Sequence, residues 1–442
     1  NADDPAVNSF GDNVFPPTSE QDASNRMSAQ NAVYSEIEAS LKRLNLSLDV
    51  LNGAAADNRI DPVLVWRLCE HTHGRFVSDA LQGWQKLNWF QGETGFDCVL
   101  RVRTSGGLRV QAVGEGGMDG DPTNVHGLQF ASNSSAVLHL PILHAGSSVS
   151  FDCRYDSPNG TSITADDFPL LQLAVEYTVM KEISEKESSK WIPVRRMRIS
   201  TVEYKVSSNL GDIYGNANPE VIIHLLLQKT LANLSSRGYL ESRLLLREWL
   251  LSFFSHYMVY SKRVSQTLDY TFKTIPRLKI LPKYVYSCLL SSFLNVTMEK
   301  GFATTLDEIN TIDQLPPSLL SRYLYPKLSA YKDENTVDIP RLNLSVRTLL
   351  AVDRPLYVYV SYQRVIVLIA SDRGSTVTKE SKLMQSVKKL QEEGLRSIPI
   401  EVEVWSTERQ GELFKQLMID DNIDPNKRFA TIEAEVVDTA LH

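Results

Sequence analysis

Hydrophobic positions change their spacing several times along the chain, and each spacing predicts a different kind of structure. Between residues 29 and 91, helical patterns at 29–42, 61–68 and 79–91 alternate with short apolar runs at 46–51 and 75–77. Helices that alternate with short strands are typical of a doubly wound α/β domain. Two parallel strands leave the edges of a sheet unpaired, so the chain is predicted to start inside such a domain.

Residues 1–28 differ in composition: they are rich in Asn, Asp, Ser and Pro and show little hydrophobic periodicity. Such a composition does not bury enough apolar surface to order a segment. It predicts a mobile arm or loop before the first helix.

A β-rich region is predicted between residues 96 and 205, where short apolar or alternating runs are separated by Gly, Asn, Asp and Pro clusters. That rhythm is typical of a β-sandwich. The charged segment 181–190 is interpreted as a hairpin tip. The glycines between 114 and 120 do not form a phosphate-binding pattern and no helix start follows them, so they predict a loop. The runs are 99–102, 138–140, 148–151, 170–177 and 196–204.

Helices are predicted from Asn218 to about residue 325. Asn218 is a good N-cap, Pro219 suits the first helical position and Glu220 places an acid in the first turn. Pro282 opens a further helix to residue 293, and residues 305–308 have the spacing of a capping box. The apolar positions of this block are interpreted as core.

From residue 342 the pattern returns to strands. Apolar runs at 356–360 and 365–369 are joined by a short turn, and an amphipathic helix at 379–392 precedes a strand at 400–404. A last helix is predicted at 409–417. This order indicates a small α/β layer domain.

Composition limits the function. The 442 residues predict about three domains. A net charge of −7 does not favour nucleic acid as a partner. The polar start and the lack of about 18 consecutive apolar residues predict no spanning segment and no secretion leader. The widely spaced cysteines are interpreted as reduced cytosolic thiols. No catalytic triad, paired acids or phosphate loop stands out, so no catalytic residues and no enzyme activity are predicted.

Four widely spaced cysteines predict neither a zinc ribbon nor a disulfide framework. Cys69, His71 and His73 occupy alternate positions that would share one strand face. They lack an evident fourth ligand, so no metal and no cofactor are predicted.

The strongest candidate for binding chemistry is the segment 94–110. Its period-2 pattern places Leu100 and Val102 on one strand face and Arg101 and Arg103 on the other. Two guanidinium groups about 7 Å apart suit the carboxylates of an acidic peptide. A solvated strand face is the alternative interpretation.

The segment GFDCVLRVRTSGGLRV resembles the junction between trunk and β-sandwich in the COPII inner-coat cargo adaptor, which selects cargo at the endoplasmic reticulum. Where that family has TGG, this chain has Thr72-His73-Gly74. Four other strings resemble the family in the same order: LCEHTHGRF from residue 68, RRMRIST from 195, LKILPKYV from 278 and YLYPKL from 323.

The resemblance implies a multi-domain α+β fold with boundaries that follow the changes in pattern. The expected parts are an arm at 1–28, the C-terminal part of a von Willebrand A-like (vWA-like) α/β trunk at 29–93, a β-sandwich at 94–206, an all-helical domain at 207–328 and a gelsolin-like α/β domain at 329–442.

The resemblance also implies a COPII vesicle-coat adaptor of endoplasmic reticulum to Golgi transport, in which Arg101 and Arg103 bind sorting signals. The expected partners are the smaller inner-coat subunit, the cytosolic tails of cargo and SNARE proteins and, indirectly, the small coat GTPase. Peripheral membrane contact at endoplasmic reticulum exit sites and COPII vesicles follows. Arg195, Arg196 and Arg198 are candidates for anionic lipid, with a structural strand as the alternative. The family's zinc ribbon is expected upstream of this chain.

Two alternatives belong to other classes. The GTPase-activating partner subunit of the same coat inserts an arginine into its GTPase, and residues 401–442 show no loop resembling the one that carries it. A gelsolin-type actin-binding protein is suggested by the last domain alone, but that domain is not repeated.

Overall fold

The structure is a computed structural model of the whole chain. Its contacts divide the chain into two units, residues 1–206 with 296–314 and residues 207–295 with 315–442, which are described separately. The predicted domain boundaries stay predictions. The structure describes residues 20–51, 65, 68–69, 71–74, 76–77, 94–105, 107–112, 129–132, 135–144, 148–155, 167–185, 188–237, 239–264, 277–294, 308–309, 312–313, 315–370, 377–378, 380–394, 400–421 and 429.

The first unit starts with helix α1 (Glu20–Arg43) and two short strands, β1 (Val50–Leu51) and β2 (Phe76–Val77). As predicted, these strands pair in parallel, with Val50 opposite Phe76. Their small core joins one helix face to the strands, which is how a helix covers a parallel sheet. The buried members of this core are Tyr34, Val65, Leu68, Cys69 and Phe76.

The helix predicted at 29–42 begins earlier than expected, at Glu20, and ends at Arg43. Residues 20–29 are mostly good helix formers with no Pro or Gly, and local propensity extends the helix. The strand predicted at 46–51 is shortened to Val50–Leu51. Residues 1–19, most of the helix predicted at 61–68 and all of that at 79–91 lie outside the described residues.

The rest of the first unit is the β-sandwich that the pattern predicts. One sheet has five antiparallel strands in the order β5-β6-β3-β8-β9, and β4 pairs with β7 in a second, smaller sheet. Val102, Ala136 and Val110 lie in the core between the two sheets. The strands are β3 (Thr94–Thr104), β4 (Leu108–Ala112), β5 (Gln129–Ser132), β6 (Ser135–His144), β7 (Phe151–Tyr155), β8 (Leu170–Glu185) and β9 (Ser188–Glu203).

The predicted charged hairpin tip at 181–190 is mostly strand. Lys181 pairs with Ile192 and Glu185 with Ser188, so the β8–β9 ladder continues almost to the turn. The charges had suggested a loop, but the tertiary context of a continuous ladder with β9 overrides the weak strand preference of these residues. The predicted glycine loop at 114–120 lies outside the described residues.

The second unit begins with helices. Asn218 caps helix α3 as predicted, because its side-chain Oδ1 accepts a hydrogen bond from the Glu220 backbone N–H at 2.9 Å. Helix α2 was not predicted, although Asn209 caps it in the same way. The helix predicted from Pro282 to residue 293 ends at Leu290 and is followed by a 3₁₀ turn. The helices of this part are α2 (Leu210–Asn216), α3 (Pro219–Arg237), α4 (Tyr239–Val264), α5 (Leu281–Leu290) and α6 (Pro317–Leu324).

A mixed five-stranded sheet follows in the same unit, in the order β11-β10-β12-β13-β14. The predicted antiparallel pair β12–β13 is present, and β14 lies parallel to β13. The elements are β10 (Lys327–Asp333), β11 (Thr336–Leu342), α7 (Val346–Val352), β12 (Leu356–Val360), β13 (Arg364–Ile369), α8 (Lys382–Gly394), β14 (Glu401–Ser406) and α9 (Thr407–Gln416).

Strands β10 and β11 precede the strands predicted from residue 342. β11 is a largely exposed edge strand that contains Pro340, so it lacks the apolar alternation of a buried strand. Residues 305–307 of the predicted capping box and the last residues of the chain lie outside the described part.

A buried ion pair joins distant segments of the second unit. Lys283 Nζ lies 2.9 Å from Asp420 Oδ2, and the two side chains are only 11% and 9% exposed. The same ammonium donates to Tyr325 Oη at 3.0 Å and to Asn343 Oδ1 at 2.8 Å. Burial raises the pKa of Asp420, and the Lys283 charge opposes that rise. The network therefore ties α5 and the end of α6 to the segment after α9.

Gly74→Ala should destabilise the first unit. A Cβ at this position would lie 1.9 Å from the Leu48 carbonyl oxygen, so the backbone has to move. We expect a loss of about 1–3 kcal/mol or more in the free energy of unfolding, measured with urea. Gly215→Ala is the control, because nothing lies within 4 Å of its added Cβ. A loss no larger than that of the control would contradict the close contact.

Lys283→Met should destabilise the second unit, because it leaves the buried Asp420 carboxylate without its cation. The expected loss is about 3–5 kcal/mol at neutral pH in a denaturant titration. The pKa of Asp420 should rise further in the variant, so the loss should shrink towards about pH 4, where the carboxyl is protonated. Adding Asp420→Asn should recover much of the loss; a double variant as unstable as the single one would contradict the pairing.

Candidate functional site

Arg101 and Arg103 lie on the exposed face of β3, as the alternating pattern predicts. Leu100 and Val102 are buried on the opposite face, and both arginine residues are exposed. The central position of β3 makes this face part of a broad sheet surface. The two guanidinium groups therefore project from a rigid strand towards solvent.

The immediate neighbours of the two arginine residues carry no charge. Arg101 lies opposite Val137 of β6 and Ala174 of β8, and Arg103 lies opposite Gln172. Among the residues that the structure describes, neither Arg101 nor Arg103 forms an ion pair or a side-chain hydrogen bond. A carboxylate from another molecule meets no internal competitor there.

The nearest acids on this face are bound by Arg195 of β9. Glu176 lies on β8 two residues beyond Ala174, the partner of Arg101, and therefore on the same face of the sheet. Arg195 Nε lies 3.2 Å from Glu176 Oε1, and Arg195 Nη1 lies 3.1 Å from Asp97 Oδ2. Arg195 thus holds Glu176, the described acid that lies diagonally from Arg101.

Arg195 also braces an irregularity in β3. The register with β8 shifts between Phe96 and Val99, and Asp97 has a positive φ of 50°. Arg195 Nη1 donates to the Asp97 carbonyl oxygen at 2.5 Å, and Asn45 Nδ2 donates to Asp97 Oδ1 at 3.2 Å. These contacts support a left-handed conformation that is uncommon for a residue other than glycine. Sequence reasoning missed this role, because Arg195 and Asp97 are 98 positions apart.

The basic cluster predicted for lipid contains residues of both sheet faces. Arg195 shares the face of Arg101, whereas Arg196 and Arg198 alternate to the other face. Arg195 is occupied by Asp97 and Glu176, which favours the structural alternative for this residue. The lipid role of Arg196 and Arg198 stays a prediction.

The candidate metal ligands are not arranged as the spacing suggested. Cys69 and His71 lie at the end of a helical segment rather than on a strand, and His73 follows in a turn with a φ of 59°. His71 Nδ1 lies 2.9 Å from Glu38 Oε2. Burial raises the pKa of the Cys69 thiol to about 12. A protonated, buried thiol is a poor metal ligand.

Cys98 is the cysteine of strand β3, three positions before Arg101. Burial raises the pKa of its thiol to about 11, and the nearby Arg195 charge opposes the rise. The thiol is protonated at neutral pH and therefore a weak nucleophile. The site is suited to binding anions rather than to covalent chemistry.

Comparisons with known proteins give the fold of the chain and two similar sequences. No protein-family model matches it. The crystal structure of the human COPII-coat protein Sec24c superposes with a TM-score of 0.64 at 16% identity, over 92% of this chain and 53% of that chain. The chain therefore has the multi-domain α+β fold of a COPII-coat protein.

Two curated proteins add sequence similarity. Protein transport protein SEC23 D of Arabidopsis thaliana is 26% identical over 323 residues, which are 67% of this chain and 42% of that protein. Protein transport protein Sec24C of Homo sapiens is 25% identical over 290 residues, 63% of this chain and 23% of that protein. The chain is therefore similar in sequence to two protein transport proteins, one named SEC23 D and the other Sec24C. The match spans less than half of the length of either relative.

Arg195→Met should loosen β3 at Asp97, since it removes every donor to that residue from β9. We expect a loss of about 1–2 kcal/mol, because the contact is partly exposed, and faster amide hydrogen exchange around Asp97. Arg198→Met is the matched control on the same strand, with an expected change within about 0.5 kcal/mol. Equal effects of the two substitutions would show that Arg195 does not brace the strand.

Proposed function

We propose that the chain is a COPII coat subunit in endoplasmic reticulum to Golgi transport, of the larger, cargo-selecting kind. In this proposal Arg101 and Arg103 bind carboxylates in the sorting signals of cargo. The observation that supports it is the pair of exposed guanidinium groups that form no ion pair with a described residue, beside Glu176, which Arg195 already holds. The similarity to SEC23 D and Sec24C supplies the cellular setting.

Binding of a peptide at one such site is expected to be weak, because its contacts are few and exposed to solvent. A charge-assisted hydrogen bond contributes about 1.5–3 kcal/mol, and solvent exposure reduces that gain. Many coat subunits on one membrane patch would raise the effective concentration of sites and make selection efficient. Fast exchange of individual signals is then compatible with tight capture by the assembled coat.

The remaining partners follow from the proposed role. They are the smaller inner-coat subunit, cytosolic tails of cargo and SNARE proteins and, indirectly, the small coat GTPase. Location is cytoplasmic and peripheral, at endoplasmic reticulum exit sites and COPII vesicles. None of the helices in the described part of the chain has the length and apolar character required to cross a bilayer.

The second candidate is the GTPase-activating partner subunit of the same coat. The similarity to SEC23 D over 67% of the chain favours it. An adaptor without enzyme activity should leave GTP hydrolysis by the coat GTPase unchanged, whereas the alternative should accelerate it. Measuring phosphate release with and without this chain distinguishes the two.

The arginine site is tested with fluorescent peptides that carry two carboxylates. Arg101→Ala with Arg103→Ala should weaken their binding at least about tenfold, and high salt should weaken binding to the unmodified chain. The melting temperature should change little, because both side chains are exposed. Fluorescence anisotropy gives the Kd.

A matched control removes two exposed arginine residues elsewhere, as Arg109→Ala with Arg347→Ala. Both variants have the same net charge, so a general electrostatic effect would weaken binding equally in the two. Equal weakening, or no binding to the unmodified chain, would overturn the assignment of Arg101 and Arg103.

A further inference from the structure

Strand β9 forms an edge of the five-stranded sheet. It is 16 residues long, which corresponds to about 54 Å of extended chain. Among the strands that the structure describes, β9 pairs with β8 alone. Its other side therefore presents backbone groups to which no described strand bonds.

The hydrogen-bond register identifies the residues with outward backbone groups. The Tyr204 N–H donates to the Pro169 carbonyl oxygen at 2.9 Å, immediately beyond the ladder of β8 and β9. Bonded and non-bonded pairs alternate in an antiparallel ladder, so even-numbered residues of β9 bond to β8. Met197, Ile199 and Thr201 direct their N–H and C=O groups to the edge.

Side chains on the two faces of β9 differ in character. Met197 and Ile199 are 56% and 60% exposed on the face that also carries Arg101. Arg196 and Arg198 lie on the opposite face, and neither forms an ion pair with a described residue. The edge thus offers an apolar row on one face and a cationic row on the other.

Proline interrupts the edge of β9 only near the hairpin turn. Lys190 and Pro193 blunt the edge near the hairpin turn, since Pro has no N–H to donate. Arg195 turns inward to Asp97 and Glu176 and does not shield the edge. From Met197 to Thr201 no described strand pairs with the outer side of the backbone.

In the register that pairs the two exposed apolar residues of β9 with each other, the charges disfavour a second copy of this chain as that strand. Antiparallel self-pairing that aligns Met197 with Ile199 places Arg198 of one copy opposite Arg198 of the other. Like charges directly opposite one another destabilise a strand pair. A strand with acidic side chains on that face is attracted instead.

We propose that β9 binds an extended segment of another polypeptide chain, which adds a sixth strand and alternates acidic with apolar side chains. The acidic residues contact Arg196 and Arg198, and the apolar residues contact Met197 and Ile199. Backbone hydrogen bonds to an exposed edge supply affinity, and the alternating side chains supply specificity. This inference does not depend on the role of Arg101 and Arg103.

A capped ten-residue peptide of alternating Glu and Val, labelled with fluorescein, is the probe. Its binding to the full chain is measured by anisotropy and compared with that of an alternating Lys and Val peptide. We expect the Glu peptide to bind at least about tenfold more tightly. Arg196→Glu with Arg198→Glu should reverse the preference.

Backbone pairing is tested with two N-methylated forms of the Glu and Val peptide, one methylated at every Val and one at every Glu. Only one set of N–H groups can face β9, so one form should lose binding and the other should keep it. If the peptide methylated at every Val loses binding, the added strand is antiparallel. In an antiparallel pair, Val lies directly opposite Met197 and Ile199 on the same face, and its N–H bonds to their outward carbonyl groups.

The Glu and Val peptide also carries carboxylates that suit Arg101 and Arg103, so its binding is measured again in the Arg101→Ala, Arg103→Ala variant. There it should still bind, with the same preference over the Lys peptide and the same dependence on N-methylation, which separates this site from the proposed sorting-signal site. Circular dichroism checks that the variants stay folded, and the N-methylated peptides test the proposal without any substitution. Four outcomes would each overturn the proposal. They are equal binding of both methylated forms, equal binding of the Glu and Lys peptides, loss of binding in the Arg101 and Arg103 variant, and no binding at all.

Discussion

The two-residue alternation of β3 is the constraint on which the proposed binding surface depends. A shift of one position would turn Arg101 and Arg103 into the core and expose Val102, so the register of this strand decides whether the surface exists. Hydrogen bonds to β6 and β8 on both sides hold that register along most of the strand. Where the ladder to β8 is irregular, at Asp97, a side chain from β9 supplies the missing support.

Arg195 connects stability with recognition in the first unit. Its guanidinium group meets a backbone carbonyl, two carboxylates and the Thr178 hydroxyl. The same residue therefore supports the strand and removes nearby negative charge from Arg101. In the second unit, the ion pair of Lys283 and Asp420 also joins segments that are distant in sequence, but its environment is different. They are buried, so each depends on the other for compensation of its charge.

Features that depend on residues close together in the sequence were predicted well. The exposed faces of Arg101 and Arg103 follow from strand alternation, and the Asn218 cap follows from residue preference at a helix start. Arg195 could not be assigned, because its partners come from strands that only the folded sheet brings together. Strand β11 was not predicted, since an exposed edge strand with a proline has no apolar period. The charged residues near the β8–β9 turn suggested a loop, although cross-strand pairing extends through them.

The β8–β9 hairpin also has a consequence for the order of folding. Its strands are joined directly, whereas β3 reaches β8 only across more than sixty intervening residues. Contacts between sequence neighbours form faster than contacts that close long loops. The hairpin is therefore expected to form before β3 covers its other side, and for that period both of its edges are open. Like charges at Arg196 and Arg198 then act as gatekeepers that hinder nascent chains from aggregating.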